Sequence, residues 1–277
     1  MQTFAAGSLP ALTPVTMGTG GITDPDNAEM IKVTRLGMEA GIWFHVSDYG
    51  NGVYTMLGRA FREDPAQVPP CIFKLDGLGP QAFRASLEDA LRRTGKERIE
   101  IGQVCGNPVD ESLAPLAEEL YKAREEGLVG SYIMDVIYSY SPKVIAAVEA
   151  DLFDGYIFYY NLMERELSAA ANAVLTARGT PVLAMRTFGG RDGSNYVSQP
   201  DHPRAQALEA LYRQSGCENR VEFCVRFPLS LPQVRTTIGS SSRLAHLQAF
   251  LAADRRPLAP EIVTEIQALH QTWNAAR

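Results

Sequence analysis

The stretch CIFKLDGLGPQAFRASLEDALRRTGKERIEIGQVC, residues 71–105, decides the fold. It opens on a short apolar run at 71–75, of strand length and strand composition. Through 81–93, Phe83, Leu87 and Leu91 recur at intervals of four, which puts them on one face of a helix. The basic run from Arg92 to Arg98 follows, interrupted by Glu97, and reads as a solvated helix end where cations suit the negative pole of the dipole. A second apolar run at 99–105 completes a strand–helix–strand unit.

The same alternation extends in both directions. Strands are expected at 15–19, 42–47, 129–136, 155–160, 181–186 and 235–238. Helices are expected at 27–40, 53–61, 113–126, 142–149, 166–178, 204–214, 241–253 and 260–273, the one at 142 opening with Pro142 after Ser141. Units of this size, eight in number and unbroken, predict an α/β chain folded as a single (β/α)8 TIM barrel, with residues 1–277 as one domain. Chemistry in such a barrel sits at the C-terminal ends of the strands.

Composition narrows the partners. The 277 residues are 45% hydrophobic and 21% charged, values of a globular chain that exclude disorder and collagen-like repeats. Lys and Arg number 26 against 32 Asp and Glu, a net charge of −6, and no concentrated basic face is present for nucleic acid. Cys71, Cys105, Cys217 and Cys224 form neither a disulfide framework nor a metal-ligand cluster, so no metal is expected and a reducing compartment is. No apolar run is long enough to span a membrane, and the N-terminus lacks the basic region of a signal peptide. The expectation is a cytoplasmic protein acting on a small molecule; the oligomeric state is not legible.

Particular motifs give the chain a family likeness. Met17-Gly18-Thr19-Gly20, followed by the run from Gly41 to Gly52 (GIWFHVSDYGNG), resembles the opening of the aldo-keto reductases, whose members carry G-I-x-x-F-D-T-A-x-x-Y-G. Cys71-Ile72-Phe73-Lys74 is similar to their x-x-T-K, and Ser86 to Leu91 to S-L-E-x-S-L. Tyr160-Asn161-Leu162-Met163-Glu164-Arg165 resembles Y-N-L-x-x-R, and Thr236 to Ser242 resembles their phosphate-binding turn. The likeness runs from about residue 8 to residue 273, in order.

The resemblance implies carbonyl reduction by a nicotinamide cofactor, NADP or NAD. A Tyr hydroxyl donates the proton, an adjacent Lys favours the phenolate, an Asp pairs with the Lys, and a His orients the carbonyl. By motif the Tyr is Tyr49 and the Lys is Lys74. The Asp position falls on Val46, in a turn about two residues short, and the His position on Cys105. Without that Asp, Lys74 is expected to lose basicity, with Asp76 or Asp48 as the replacement partner. His45, next to Val46, is expected to face the helix layer as a packed structural histidine. For the cofactor, the resemblance points to Gly239, Ser240, Ser241, Ser242 and Arg243 at a helix N-terminus, the alternative being an ordinary cap by Ser241 or Ser242. Asn161 and Arg186 complete the cofactor set, Arg186 being open between pairing an anionic group and a structural ion pair. The family's Ser-Asn after strand five, its Gln on strand six and its stacking aromatic on strand seven fall on Asp135-Val136, Ile157 and Met185. The polar loop from Gly189 to Pro203 reads as a lid.

Three functions remain open on this sequence. The first is an NAD(P)H-dependent oxidoreductase acting on a small carbonyl or alcohol. The second is a non-redox lyase, isomerase or hydrolase using Tyr49 and Lys74 as an acid/base pair, with Asp48, Asp76, Asn107 and Arg186 in support. The third is a catalytically silent binding protein. Fold alone does not choose among them.

Overall fold

The computed structural model describes residues 9–105, 113–137, 139, 141–149, 151 and 153–275. The sequence-predicted Asn107 lies outside them. Strands β1 (Val15–Gly18), β2 (Trp43–Val46), β3 (Cys71–Asp76), β4 (Ile99–Cys105) and β5 (Val129–Asp135) alternate with helices α1 (Ala28–Glu39), α2 (Val53–Glu63), α3 (Pro80–Thr94) and α4 (Leu113–Glu125). Next come α5 (Ser141–Glu149), β6 (Gly155–Asn161), the short β7 (Glu164–Arg165), α6 (Ala169–Ala177) and β8 (Val182–Met185). The chain continues with α7 (Pro203–Gln214), α8 (Arg220–Leu229), β9 (Val234–Ser240), α9 (Leu244–Ala252) and α10 (Pro260–Ala275). All strands but β7 pair in parallel, in the order β5-β4-β3-β2-β1-β9-β8-β6, and β5 pairs with β6 to close the circle. The predicted (β/α)8 barrel is therefore the fold.

Helix α3 shows how local sequence sets the elements. Pro80 occupies its first turn, where no amide hydrogen is missed. Phe83, Leu87 and Ala90 are buried. Arg92 and Arg93 sit in its last turn, and Gly95 ends it at φ +73°, donating its N–H to Leu91 O at 2.8 Å.

Two elements depart from the sequence expectation. The helix expected after strand seven is α7, but α7 packs chiefly on α10. The helix that covers β6 and β9 is α8, which the periodicity did not reveal. Its buried face carries the ion pair Arg226–Glu222 at 2.9 Å, and Pro228 sits inside it, so neither hydropathy nor propensity marks it. The second departure is at 164–168. Glu166 was expected to be helical, yet β7 turns back antiparallel on β6, and α6 starts only after the cap Ser168. That leaves the Glu166 side chain free of the helix.

The barrel interior is layered. Trp43, Ile72, Ile101, Ile133, Ile157, Leu183 and Ile238 form one buried apolar cluster, distinct from the larger core between strands and helices. Strand alternation places the residue two positions on along each strand on the same inner face, one layer nearer the C-terminal mouth. Those residues are His45, Lys74, Gln103, Asp135, Tyr159, Met185 and Ser240. An apolar plug thus supports a ring of mostly polar side chains at the mouth.

Candidate active site

Lys74 Nζ donates a hydrogen bond to Tyr49 Oη at 3.0 Å, with the ammonium 5.5 Å from the ring centroid. Tyr49 lies in the turn between β2 and α2 and is 66% exposed. The pair borders a cavity of about 400 Å3. Its walls include His45, Tyr159, Met185, Arg186 and Phe188, and its rim includes Gly18, Gly20, Gly239 and Ser240.

The layer rule corrects the β2 register. Val46 belongs to the core between barrel and helices. His45 faces inward, lines the cavity and bonds through Nε2 to Gln103 Oε1. The expected orientation of His45 is therefore reversed, because a shortened turn hides which residue ends the inward row. Burial and then the charge of Lys74 push the His45 imidazole down to about 3, against a smaller opposing effect of Gln103, so it is neutral near pH 7.

Lys74 does not lose basicity. Burial alone lowers it, but the Tyr49 hydrogen bond and charge, followed by Asp135 and Cys105, outweigh burial and raise it above the ordinary lysine value. The two partners expected for it are employed elsewhere. Asp48 accepts the N–H groups of Gly50, Gly52 and Tyr54 at 3.0, 3.2 and 3.2 Å and pairs with Arg93 at 2.8 Å. It fastens the start of α2. Asp76 does sit on a strand that persists that far, but its Oδ1 accepts the Leu78 N–H at 2.8 Å and its charge acts on Cys105.

Gln103, Tyr159, Glu166 and Arg191 also stand around the site, and Asp135, expected only at the position of the family's Ser-Asn, stands among them. Burial raises the Asp135 carboxyl above the ordinary range, against Lys74, Gln103, Cys105 and Arg191, which lower it. The Gln103 amide nitrogen is buried and completes no hydrogen bond of full geometry, yet it lies close enough to Asp135 to favour the carboxylate. Cys105 faces the same carboxylate. Burial, reinforced by Asp135, lifts its thiol to about 12, so it is neither a thiolate nor a base. Glu166 pairs with Arg191 at 2.7 Å, and burial lifts it to about 7. The guanidinium groups of Arg186 and Arg191 stand 5.2 and 5.7 Å from the Tyr159 ring centroid. The signal that identifies the Asp135, Gln103 and Tyr159 positions was present: an aliphatic residue two places earlier on each strand.

The cofactor candidates divide. Gly239 and Ser240 line the cavity. Arg186 also lines it, at φ +55°, a left-handed conformation rare outside glycine, and its Nη1 donates to Gly190 O at 2.9 Å. Asn161 is fully buried and its amide is spent on the fold: Nδ2 donates to Met185 O and Gly189 O, and Oδ1 accepts from Met163 and Glu164. Helix α9 starts at Leu244, later than expected, with Arg243 in the cap position and no side-chain cap from Ser241 or Ser242. Ser241 Oγ instead accepts the Arg243 N–H at 3.0 Å, while the Glu29 carboxylate accepts the Leu244 N–H at 2.8 Å. The loop after β8 is tied down on one side, with the Arg191 N–H donating to Glu164 Oε2 at 2.7 Å.

Among the described residues, no helix is long and apolar enough to cross a membrane, and no cluster of three His, Cys, Asp or Glu is placed to hold a metal ion. No protein-family model and no curated protein matches the sequence. Solved structures do match. The chain is similar to an aldo-keto reductase from Bacillus halodurans in its holo form, with a TM-score of 0.74, 18% identity, and 94% of this chain and 95% of that one covered. It is similar also to an aldo-keto reductase from Klebsiella pneumoniae in complex with NADP and acetate, with a TM-score of 0.70, 15% identity, and 94% and 92% covered. The chain has the aldo-keto reductase fold.

Proposed function

We propose that this protein is a nicotinamide-dependent oxidoreductase that reduces a small carbonyl compound, with Tyr49 as the proton donor. The observation that carries this reading is the 3.0 Å contact between Lys74 Nζ and Tyr49 Oη at the edge of the cavity. The NADP bound to the Klebsiella relative supports it by likeness.

The cavity suits an anionic dinucleotide. Its described lining includes Lys74 and Arg186 and no carboxylate, and Tyr159, Met185 and Phe188 give it an apolar wall. That wall would take the nicotinamide ring, and Arg186 with Gly239 and Ser240 would face the phosphates. The cofactor supplies a hydride. The protein's own residues handle the proton: Tyr49 gives its hydroxyl proton to the oxygen of the reduced carbonyl, and the Lys74 ammonium stabilises the phenolate left behind. His45, neutral and with Nε2 held by Gln103, adds a polar contact without a charge. We infer a reducing, cytoplasmic setting, supported by the four cysteines being free.

The test is titration with NADPH and with NADH, followed by nicotinamide emission and calorimetry. Saturable micromolar binding of either agrees with the proposal. Absence of saturable binding for both contradicts it and leaves acid–base chemistry or a silent binding role on the same barrel.

A further inference from the structure

A half-buried ammonium without a counter-charge is costly, and the position where the family resemblance looks for its carboxylate is an outward-facing valine. The inner face of the barrel supplies one from another strand. Asp135 ends β5, two residues beyond the plug residue Ile133, in the same layer as Lys74 of β3. Gln103 of β4 is the register partner of Lys74 and of Ile133, so it stands between the two strands that carry the opposite charges. Groups acting on Asp135 are Lys74 from β3, Gln103 and Cys105 from β4, Glu166 beside β7 and Arg191 from the loop after β8, while β6, which pairs with β5 at Asp135, adds Tyr159 to the same inner ring. Those acting on Lys74 are Tyr49, Asp135 and Cys105, and Lys74 in turn acts on His45. Asp48 and Asp76 are committed to backbone N–H groups, and Glu166 is committed to Arg191.

We propose that Asp135 is the positioning residue that keeps Lys74 charged and aimed at Tyr49. Relative to the pattern the resemblance implies, the imidazole stands on β2 as His45 instead of at Cys105 on β4, and the carboxylate stands on β5 instead of β2. The catalytic importance of this rests on the function proposed above; the coupling between the two charges does not.

The test is therefore one that needs no cofactor. In protein labelled with 13Cε-lysine, the Lys74 resonance, assigned by its loss in Lys74→Arg, is followed through its titration. Asp135→Asn is expected to lower the Lys74 midpoint, because it removes a negative charge that favours the ammonium. Asp76→Asn and Asp48→Asn are expected to leave it in place. A midpoint unmoved in Asp135→Asn, or moved equally by Asp76→Asn, overturns the proposal. Should Asp135→Asn fail to fold, the reciprocal experiment decides: Lys74→Met must raise the midpoint of the Asp135 13Cγ resonance, and an unchanged midpoint overturns the proposal. If NADPH also binds, Asp135→Asn is expected to lower kcat with KM little changed. Failure of cofactor binding alongside a shifted Lys74 midpoint contradicts the redox function and leaves the coupling standing.

Discussion

Arg93 Nη2 of α3 lies 2.8 Å from Asp48 Oδ2, and the Asp48 side chain is only 2% exposed. This pair ties the turn that carries Tyr49 to a neighbouring helix. Asp48, an expected site residue, therefore acts on the scaffold. Replacing it with Ala leaves three N–H groups without their acceptor and takes one of its partners from Arg93, at a cost of about 2 kcal/mol or more. Urea unfolding of Asp48→Ala measures this. Stability equal to wild type would show that the pair is dispensable.

The same region contains a close backbone approach. A Cβ on Gly58 of α2 would sit 2.2 Å from Arg93 O, closer than any atom tolerates, and both elements are regular helix with little room to shift. Gly58→Ala should destabilise by about 1–3 kcal/mol through overpacking, although alanine is the better helix former. Thermal unfolding checks this, and a stabilised variant would mean that α2 and α3 part without cost.

The barrel was legible because eight apolar runs of strand length alternate with helical spacing, a pattern that survives single-residue errors. Helix α8 was not, since its buried face holds Glu222 and Arg226 and its last turn holds Pro228. The Tyr49–Lys74 contact was reachable through local motifs. The inward placement of Asp135 was legible from the aliphatic residue two places earlier, but its relation to Lys74 depends on strand register across β4, which leaves no trace in the local sequence. The inversion of His45 and Val46 shows the limit of motif spacing: a shortened turn moves the count by one, and one residue along a strand exchanges the two faces.

Glu166 gives a pH dependence with a definite sign. Its carboxyl is raised from 4.5 to about 7, so its contribution to stability is fully present below pH 4.5 and is lost as pH rises through 7. Relative to Glu166→Gln, wild type should lose roughly 1.4 kcal/mol per pH unit across that window and then level off. Unfolding of both proteins from pH 4 to 8 measures the difference. A constant difference would contradict the raised value.

Glu29 places a carboxylate on the first N–H of α9, at Leu244, 2.8 Å away. If that helix end receives a cofactor phosphate, Glu29 competes with it. Glu29→Gln should then strengthen NADPH binding by about 2- to 5-fold, the effect of one charge at a helix terminus, and the gain should shrink with added salt. Equal affinities in calorimetry would place the phosphate elsewhere.

The most direct test of the proposed chemistry is kcat/KM for reduction of a small aldehyde panel by the preferred nicotinamide cofactor, compared between wild type and Tyr49→Phe. Tyr49 is largely exposed, so the substitution should leave folding intact. Loss of a general acid predicts a fall of about 100-fold or more with cofactor affinity unchanged. Equal rates for the two proteins would contradict the assignment of Tyr49 as proton donor.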